Sequence, residues 1–214
     1  MKGAIFDMDG TLLDTERIWE ESWHKQAEIM GIELTDTFDR QMSGAGGDMA
    51  KKAVIDHFHV DDFMVVAGPV QKLVREAVEK DLPVKKGVPE ILAWFKSLGY
   101  ITAVASSSPP ELIQSHLTRV GLIQYFDKIC SSKSVKHGKP SPDVFLLTAE
   151  QMGLEPSECY VFEDSFNGII AAYDAGCLPV MIPDRRKPDN EIKNLTHGIY
   201  DDMFEAMEAL IEEI

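Results

Sequence analysis

Two aspartates one residue apart, Asp7 and Asp9, follow the short apolar run Gly3-Ala4-Ile5-Phe6 and precede the turn residues Gly10 and Thr11. In extended geometry the two carboxylates share a face, although a turn can redirect the second. Such a pair can grip a hard cation, supply a nucleophile or move protons. A calcium loop fails on spacing, because its register would need a carboxylate or amide at Thr11, glycine at Leu12 and glutamate at Ile18. Taken alone, the pair fits a catalytic role and a structural one equally.

Three further segments carry compatible chemistry. Val104-Ala105-Ser106 ends an apolar run on a hydroxyl, and Ser107 to Pro110 can open a helix whose free amides favour an anion. Serine is also a common N-cap. Gly138-Lys139-Pro140-Ser141-Pro142-Asp143 sets one lysine on a proline-bounded turn, suited to a fixed charge near phosphate or to a solvated turn. Val161-Phe162-Glu163-Asp164-Ser165 ends another apolar run on adjacent carboxylates just before a helix, where acids also serve a purely structural purpose.

The elements that must position these residues are legible as alternating strands and helices. Strands are expected over 2–6, 101–106, 128–131, 159–163 and 178–182, with helices over 88–98, 109–120, 141–152, 165–175 and from about Asp202. This pattern predicts an α/β fold, a doubly wound parallel sheet whose strand C-termini share one edge, where ligands of open sheets bind. All four segments then fall, in order, at that edge. Residues 15 to 80 are helical only, with Ile18, Trp19, Trp23, Ala27 and Met30 on one stripe and Gly31 as a stop. Further helices are expected near 48–58 and 61–80. The domains are therefore a core of 1–14 and 84–214 and a helical insertion of 15–83, with the connections near 14–16 and 81–86 as a hinge.

Composition narrows the function. The chain has 214 residues, 44% hydrophobic and 27% charged, enough for a packed core without staples. Its formal net charge of −15 repels nucleic acid and anionic lipid, so neither a nucleic acid nor a membrane is an expected partner. An anionic substrate can bind only where a metal, a lysine and oriented amides reverse the field. Met1-Lys2 runs straight into the first strand without a secretory pattern, and a cytoplasmic protein is expected. Cys130, Cys159 and Cys177 show no CxxC spacing and read as buried thiols.

With these motifs in place, the sequence resembles the haloacid dehalogenase superfamily, and within it the beta-phosphoglucomutase-like phosphatases with an alpha-helical cap. Asp7-Met8-Asp9-Gly10-Thr11 matches the first motif, Ser106 the second, Lys139 the third and Glu163-Asp164 the fourth. The resemblance spans the whole chain, including the inserted cap. It implies an Mg²⁺-dependent phosphatase acting on a small phosphorylated metabolite through an aspartyl-phosphate, as a monomer. Asp7 would be the nucleophile and Asp9 the acid and base. Mg²⁺ would bind Asp7, the backbone carbonyl of Asp9, Asp164, and Glu163 directly or through water. Ser106, Lys139 and amides of the first loop would hold the phosphoryl oxygens.

The chain departs from the mutases of this family. Their cap histidine and cap-loop arginine are replaced by Trp19 and Gly47, and Thr11 stands where mutases carry valine, as it does in the phosphatases. Loss of the arginine removes a grip on a second phosphate and favours hydrolysis over isomerisation. A phosphosugar mutase and a catalytically silent binding protein on the same fold are the rival readings. Ser107, Trp19 and Gly44 are the expected additional substrate contacts. A tryptophan on an amphipathic stripe is more often core than a stacking platform, and Ser43 to Gly47 suits a substrate loop and a plain connection equally.

Overall fold

Strand β1 (Gly3–Phe6) is apolar and buried on both faces, which requires cover above and below it. The computed structural model describes residues 2–42 and 47–213. They divide into two compact units, Met1–Leu13 with Pro83–Ile214, and Asp14–Leu82.

The first unit is a parallel sheet of β1, β2 (Ile101–Ser106), β3 (Lys128–Ser131), β4 (Cys159–Glu163), β5 (Leu178–Met181) and β6 (Gly198–Ile199). Its order is β3-β2-β1-β4-β5-β6, so the chain winds outward from β1 in one direction and then in the other. This is the expected doubly wound α/β fold. The topological switch falls between β1 and β4, beside Asp7 and Glu163.

Side chains alternate across the strands, and the two faces differ. On one face Ile5, Ala103 and Val161 pack with Val144, Phe145, Ala171 and Ala172 from helices α7 (Asp143–Met152) and α8 (Phe166–Asp174). On the other, Phe6 stacks on Phe162 with ring centroids 4.5 Å apart, and Phe95 of helix α5 (Val88–Ser97) meets both edge-on. Burying each such ring contributes about 2–3 kcal/mol. This rigid aromatic layer lies directly beneath Asp7 and Glu163. Helix α6 (Pro110–Arg119) follows β2, while α9 (Asn190–Leu195) and α10 (Met203–Glu213) complete the unit.

The second unit contains α1 (Thr15–Met30), α2 (Asp36–Met42), α3 (Gly47–Phe58) and α4 (Met64–Lys80). Trp23, Phe38 and Phe58 form its aromatic centre with Val54, Val66 and Val70. Gly31 takes a left-handed φ of 69° and donates its amide to the last turn of α1, as expected of a helix stop.

Three elements escape the sequence reading: α2, α9 and β6. Each is short, and α2 and α9 bury one side chain apiece, Phe38 and Ile192, too few to set a period. The expected connections also shrink. Thr15 and Glu16 lie within α1, while Val84 bridges Leu13 and the Lys85 amide donates to the Leu12 carbonyl at 2.9 Å.

All three cysteines are free and buried, and burial pushes the Cys159 and Cys177 thiols up to about 11 and about 12. They are inert neutral side chains at ordinary pH. No helix among the described residues is long and apolar enough to cross a membrane.

Candidate active site

Parallel pairing aligns four strand ends at the C-terminal edge. The register Phe6↔Phe162 places Asp7 beside Glu163, Phe6↔Val104 places it beside Ala105, and Ser106 pairs with Ser131. The Asp7 amide donates to the Phe162 carbonyl at 2.9 Å, carrying the ladder one residue past β1.

Beyond Asp7 the chain folds back tightly. Leu12 and Leu13 donate their amides to the Met8 carbonyl at 3.0 Å, and Gly10 donates to the Leu13 carbonyl at 2.8 Å. Gly10 has a φ of 85°, a left-handed conformation that favours glycine. A Cβ there would also sit 2.5 Å from Asp164 Oδ2. Thr11 donates its hydroxyl to Asp164 Oδ1 at 3.0 Å, so the first loop and the segment after β4 fit together at this point.

Lys139 fills the space between strand ends. Its Nζ donates to Asp7 Oδ1 at 2.5 Å, Glu163 Oε1 at 2.6 Å and the Ala105 carbonyl at 3.1 Å, which uses all three ammonium protons. The Nζ also lies 4.9 Å from the centre of the Phe145 ring, and the lysine side chain is only 7% exposed. Burial alone would lower its pKa, but the facing Asp7 and Glu163 carboxylates hold it above the ordinary lysine value. Lys139 is therefore a permanent cation.

Asp7 feels the opposite balance. Burial raises its pKa, the Lys139 ammonium lowers it, and Glu163 and Asp9 raise it again, leaving the carboxyl pushed up to about 8. The Lys139 ammonium offsets only part of the negative charge of this acidic edge.

Glu163 is held from the other side as well. Its Oε2 accepts the Ser165 amide and hydroxyl, each at 2.9 Å, and Ser165 Oγ in turn accepts the Gly168 amide at 3.0 Å as the N-cap of α8. A Cβ on Gly168 would lie 1.9 Å from Glu163 Cδ. The helix start is thus shaped around this carboxylate.

Ser106 is buried, and its Oγ accepts the Ser108 amide at 3.0 Å. Ser107 is exposed on the same turn. Ser108 donates its hydroxyl to Asp9 Oδ2 at 2.9 Å. Of the residues singled out in the sequence, Asp7, Lys139 and Glu163 therefore form one bonded cluster, Asp9 joins the Ser106–Ser108 turn, and Asp164 joins Thr11. Trp19 belongs to the helical unit, where it packs half-buried against that unit's core. Gly44 lies outside the described residues.

Ser108 and Ser165 went unassigned in the sequence. Ser165 carried a usable signal, a serine placed before an apolar helical run. Ser108 carried none, being one of three consecutive serines whose directions only the fold can set.

Among the described residues, no three His, Cys, Asp or Glu side chains are gathered tightly enough to enclose a metal by themselves. The donor chemistry still suits magnesium, which takes one or two carboxylates, carbonyl oxygens and several waters rather than a closed protein cage. Asp7 and Asp164 border the Gly10 loop, where the missing Cβ leaves Asp164 its room.

The fold, with its carboxylate–lysine cluster at the switch point, is that of an open α/β sheet whose strand ends are the usual place for a ligand. Residues 1–176 match the haloacid dehalogenase-like hydrolases, and the chain belongs to that family. It is a phosphatase-class hydrolase. It is 34% identical over 180 residues to a phosphorylated carbohydrates phosphatase of Thermotoga maritima, covering 82% of each chain. It is 33% identical over 175 residues to a fructose-1-phosphate phosphatase of Escherichia coli, covering 81% of this chain and 92% of the relative. A solved structure of a candidate beta-phosphoglucomutase from Thermotoga maritima superposes over the whole of both chains with a TM-score of 0.84 and 28% identity.

Proposed function

We propose that the protein is an Mg²⁺-dependent phosphatase that hydrolyses a small phosphomonoester, a sugar phosphate or similar metabolite, through an aspartyl-phosphate on Asp7. The observation that carries this reading is the Lys139 ammonium, locked between Asp7 and Glu163 at the switch point of the sheet. It gives a buried carboxylate a fixed cationic neighbour, the arrangement an oxygen nucleophile for phosphorus needs.

In the first step an Asp7 carboxylate oxygen attacks phosphorus, the bond to the leaving oxygen breaks, and Asp9 gives that oxygen its proton. In the second, Asp9 takes a proton from water as the water oxygen attacks phosphorus, releasing inorganic phosphate and restoring Asp7. Lys139, Ser106 and amides of the first loop stabilise the charge on the phosphoryl oxygens. Asp7, the Asp9 carbonyl and Asp164 would hold Mg²⁺, which supplies the positive charge that keeps Asp7 ionised and draws the phosphate in. With both oxygens engaged by Lys139 and Ser165, Glu163 acts through the lysine or through a bridging water. The helical unit, residues 15–83, would serve as the cap domain of this family, with its connections near 14–16 and 81–86 as hinges. A monomer is sufficient, since every proposed catalytic group comes from one chain.

Hydrolysis is favoured over isomerisation by the named activities of the sugar-phosphate phosphatases to which the chain is similar. The missing cap arginine points the same way. A Mg²⁺-supplemented screen over sugar, nucleotide and glycolytic phosphates tests this. Phosphate release is expected, with negligible conversion of beta-glucose 1-phosphate to glucose 6-phosphate even when primed with the bisphosphate. Isomerisation outpacing phosphate release would overturn the phosphatase reading.

A further inference from the structure

Asp9 must present its carboxylate to a leaving oxygen, and it does so from the loop that follows β1. Ser108 meets it there, donating its hydroxyl to Asp9 Oδ2 at 2.9 Å. We propose that Ser108 is the positioning residue for Asp9, fixing the carboxylate in the orientation from which it passes its proton.

Ser108 is itself unusually well held for a loop residue. Its amide donates to Ser106 Oγ at 3.0 Å, and its carbonyl accepts the Ser131 hydroxyl at 2.7 Å. Ser106 and Ser131 are buried partners in the β2–β3 register, and Ser131 Oγ also accepts the Lys133 amide at 3.1 Å. Both peptide groups of Ser108 are thus pinned to adjacent strand ends, leaving only rotation about its Cα–Cβ and Cβ–Oγ bonds. A hydroxyl so mounted is a director of its acceptor rather than a passive contact. The Asp9 backbone is fixed separately, by its bridge to Leu13. Ser108 therefore acts on the carboxylate itself.

This inference rests on the proposed role of Asp9 as proton donor, and leaving-group dependence separates the two. Nitrophenolate leaves without a proton, whereas an alkoxide requires one. Steady-state kcat/KM is measured with nitrophenyl phosphate and with an alkyl phosphate for wild type, Ser108→Ala, Ser108→Cys, Ser108→Thr, Ser131→Ala and Asp9→Asn. Ser108→Ala is expected to lose roughly 10- to 100-fold on the alkyl ester and no more than about threefold on the aryl ester. Ser108→Cys, similar in size with a weak donor, repeats that selective loss should Ser108→Ala fail to fold. Ser108→Thr restores the alkyl rate to within about threefold. Ser131→Ala shows the same selectivity with a smaller amplitude. Selective loss in Asp9→Asn with equal or no loss in the Ser108 variants overturns the positioning role alone. Absence of selectivity in Asp9→Asn overturns the proton-donor assignment and this inference with it.

Discussion

Replacing Gly168 by alanine sets helix propensity against site geometry. Gly168 lies in the first turn of α8, where alanine would ordinarily favour the helix by at most about 1 kcal/mol. The new Cβ, however, would lie 1.9 Å from Glu163 Cδ and Oε1 and 2.4 Å from Oε2. The carboxylate cannot yield cheaply, because Glu163 is only 1% exposed and its oxygens hold Lys139 and Ser165. Moving it breaks charge-assisted hydrogen bonds worth about 1.5–3 kcal/mol each in a buried setting. The geometry wins, with a net loss of about 2–4 kcal/mol and a melting temperature lower by roughly 5–15 °C. Displaced Lys139 should also cost on the order of 100-fold in kcat. Calorimetry and steady-state phosphate release on Gly168→Ala measure both. In a Glu163→Ala background the clash is gone, so the same substitution should be neutral or stabilising by up to about 1 kcal/mol. Equal losses with and without Glu163, or a stable and fully active Gly168→Ala, would refute the reasoning.

Other perturbations separate the remaining parts of the site. Asp7→Asn should abolish turnover while keeping the circular dichroism of the folded protein, because an amide neither attacks phosphorus nor binds a cation as an anion; wild-type turnover in a clean preparation contradicts this. Asp164→Ala should raise the Mg²⁺ concentration needed for half-maximal activity by about tenfold or more, and an unchanged titration removes Asp164 from the metal shell. The pH dependence of stability should carry a signature from Asp127. Burial raises its pKa, but bonds from Lys96 and from the Thr102 amide outweigh that and hold it below the ordinary value. Such a depressed carboxyl contributes stability above its unfolded pKa and loses it as pH falls through the folded one. Lys96→Met should therefore lower stability near neutral pH and progressively less below about pH 4. A deficit that is constant across that range would contradict the assignment.

The sheet was legible because its strands are continuous apolar runs ending on polar residues, and the helices between them keep a clear period. Asp7 and Glu163 were legible as chemistry at strand ends, where parallel pairing sets them side by side, and Lys139 as a charge on a proline-bounded turn. What the residues alone did not reveal was direction. Glu163 faces the lysine and the start of α8 because Gly168 leaves room there, a reason that exists only once the helix is docked. Asp9 meets Ser108 because two strands end in register at Ser106 and Ser131, a relation between segments 25 residues apart. The short elements α2, α9 and β6 were missed for a different reason: they are set by neighbours rather than by their own periodicity.

An aspartyl-phosphate on Asp7 requires two in-line displacements at phosphorus and not one. The stereochemical course at phosphorus tests this most directly, using an isotopically chiral phosphorothioate monoester turned over in labelled water. Two displacements predict net retention of configuration in the released thiophosphate. Net inversion would mean that water attacks the substrate directly, and would contradict the aspartyl-phosphate account.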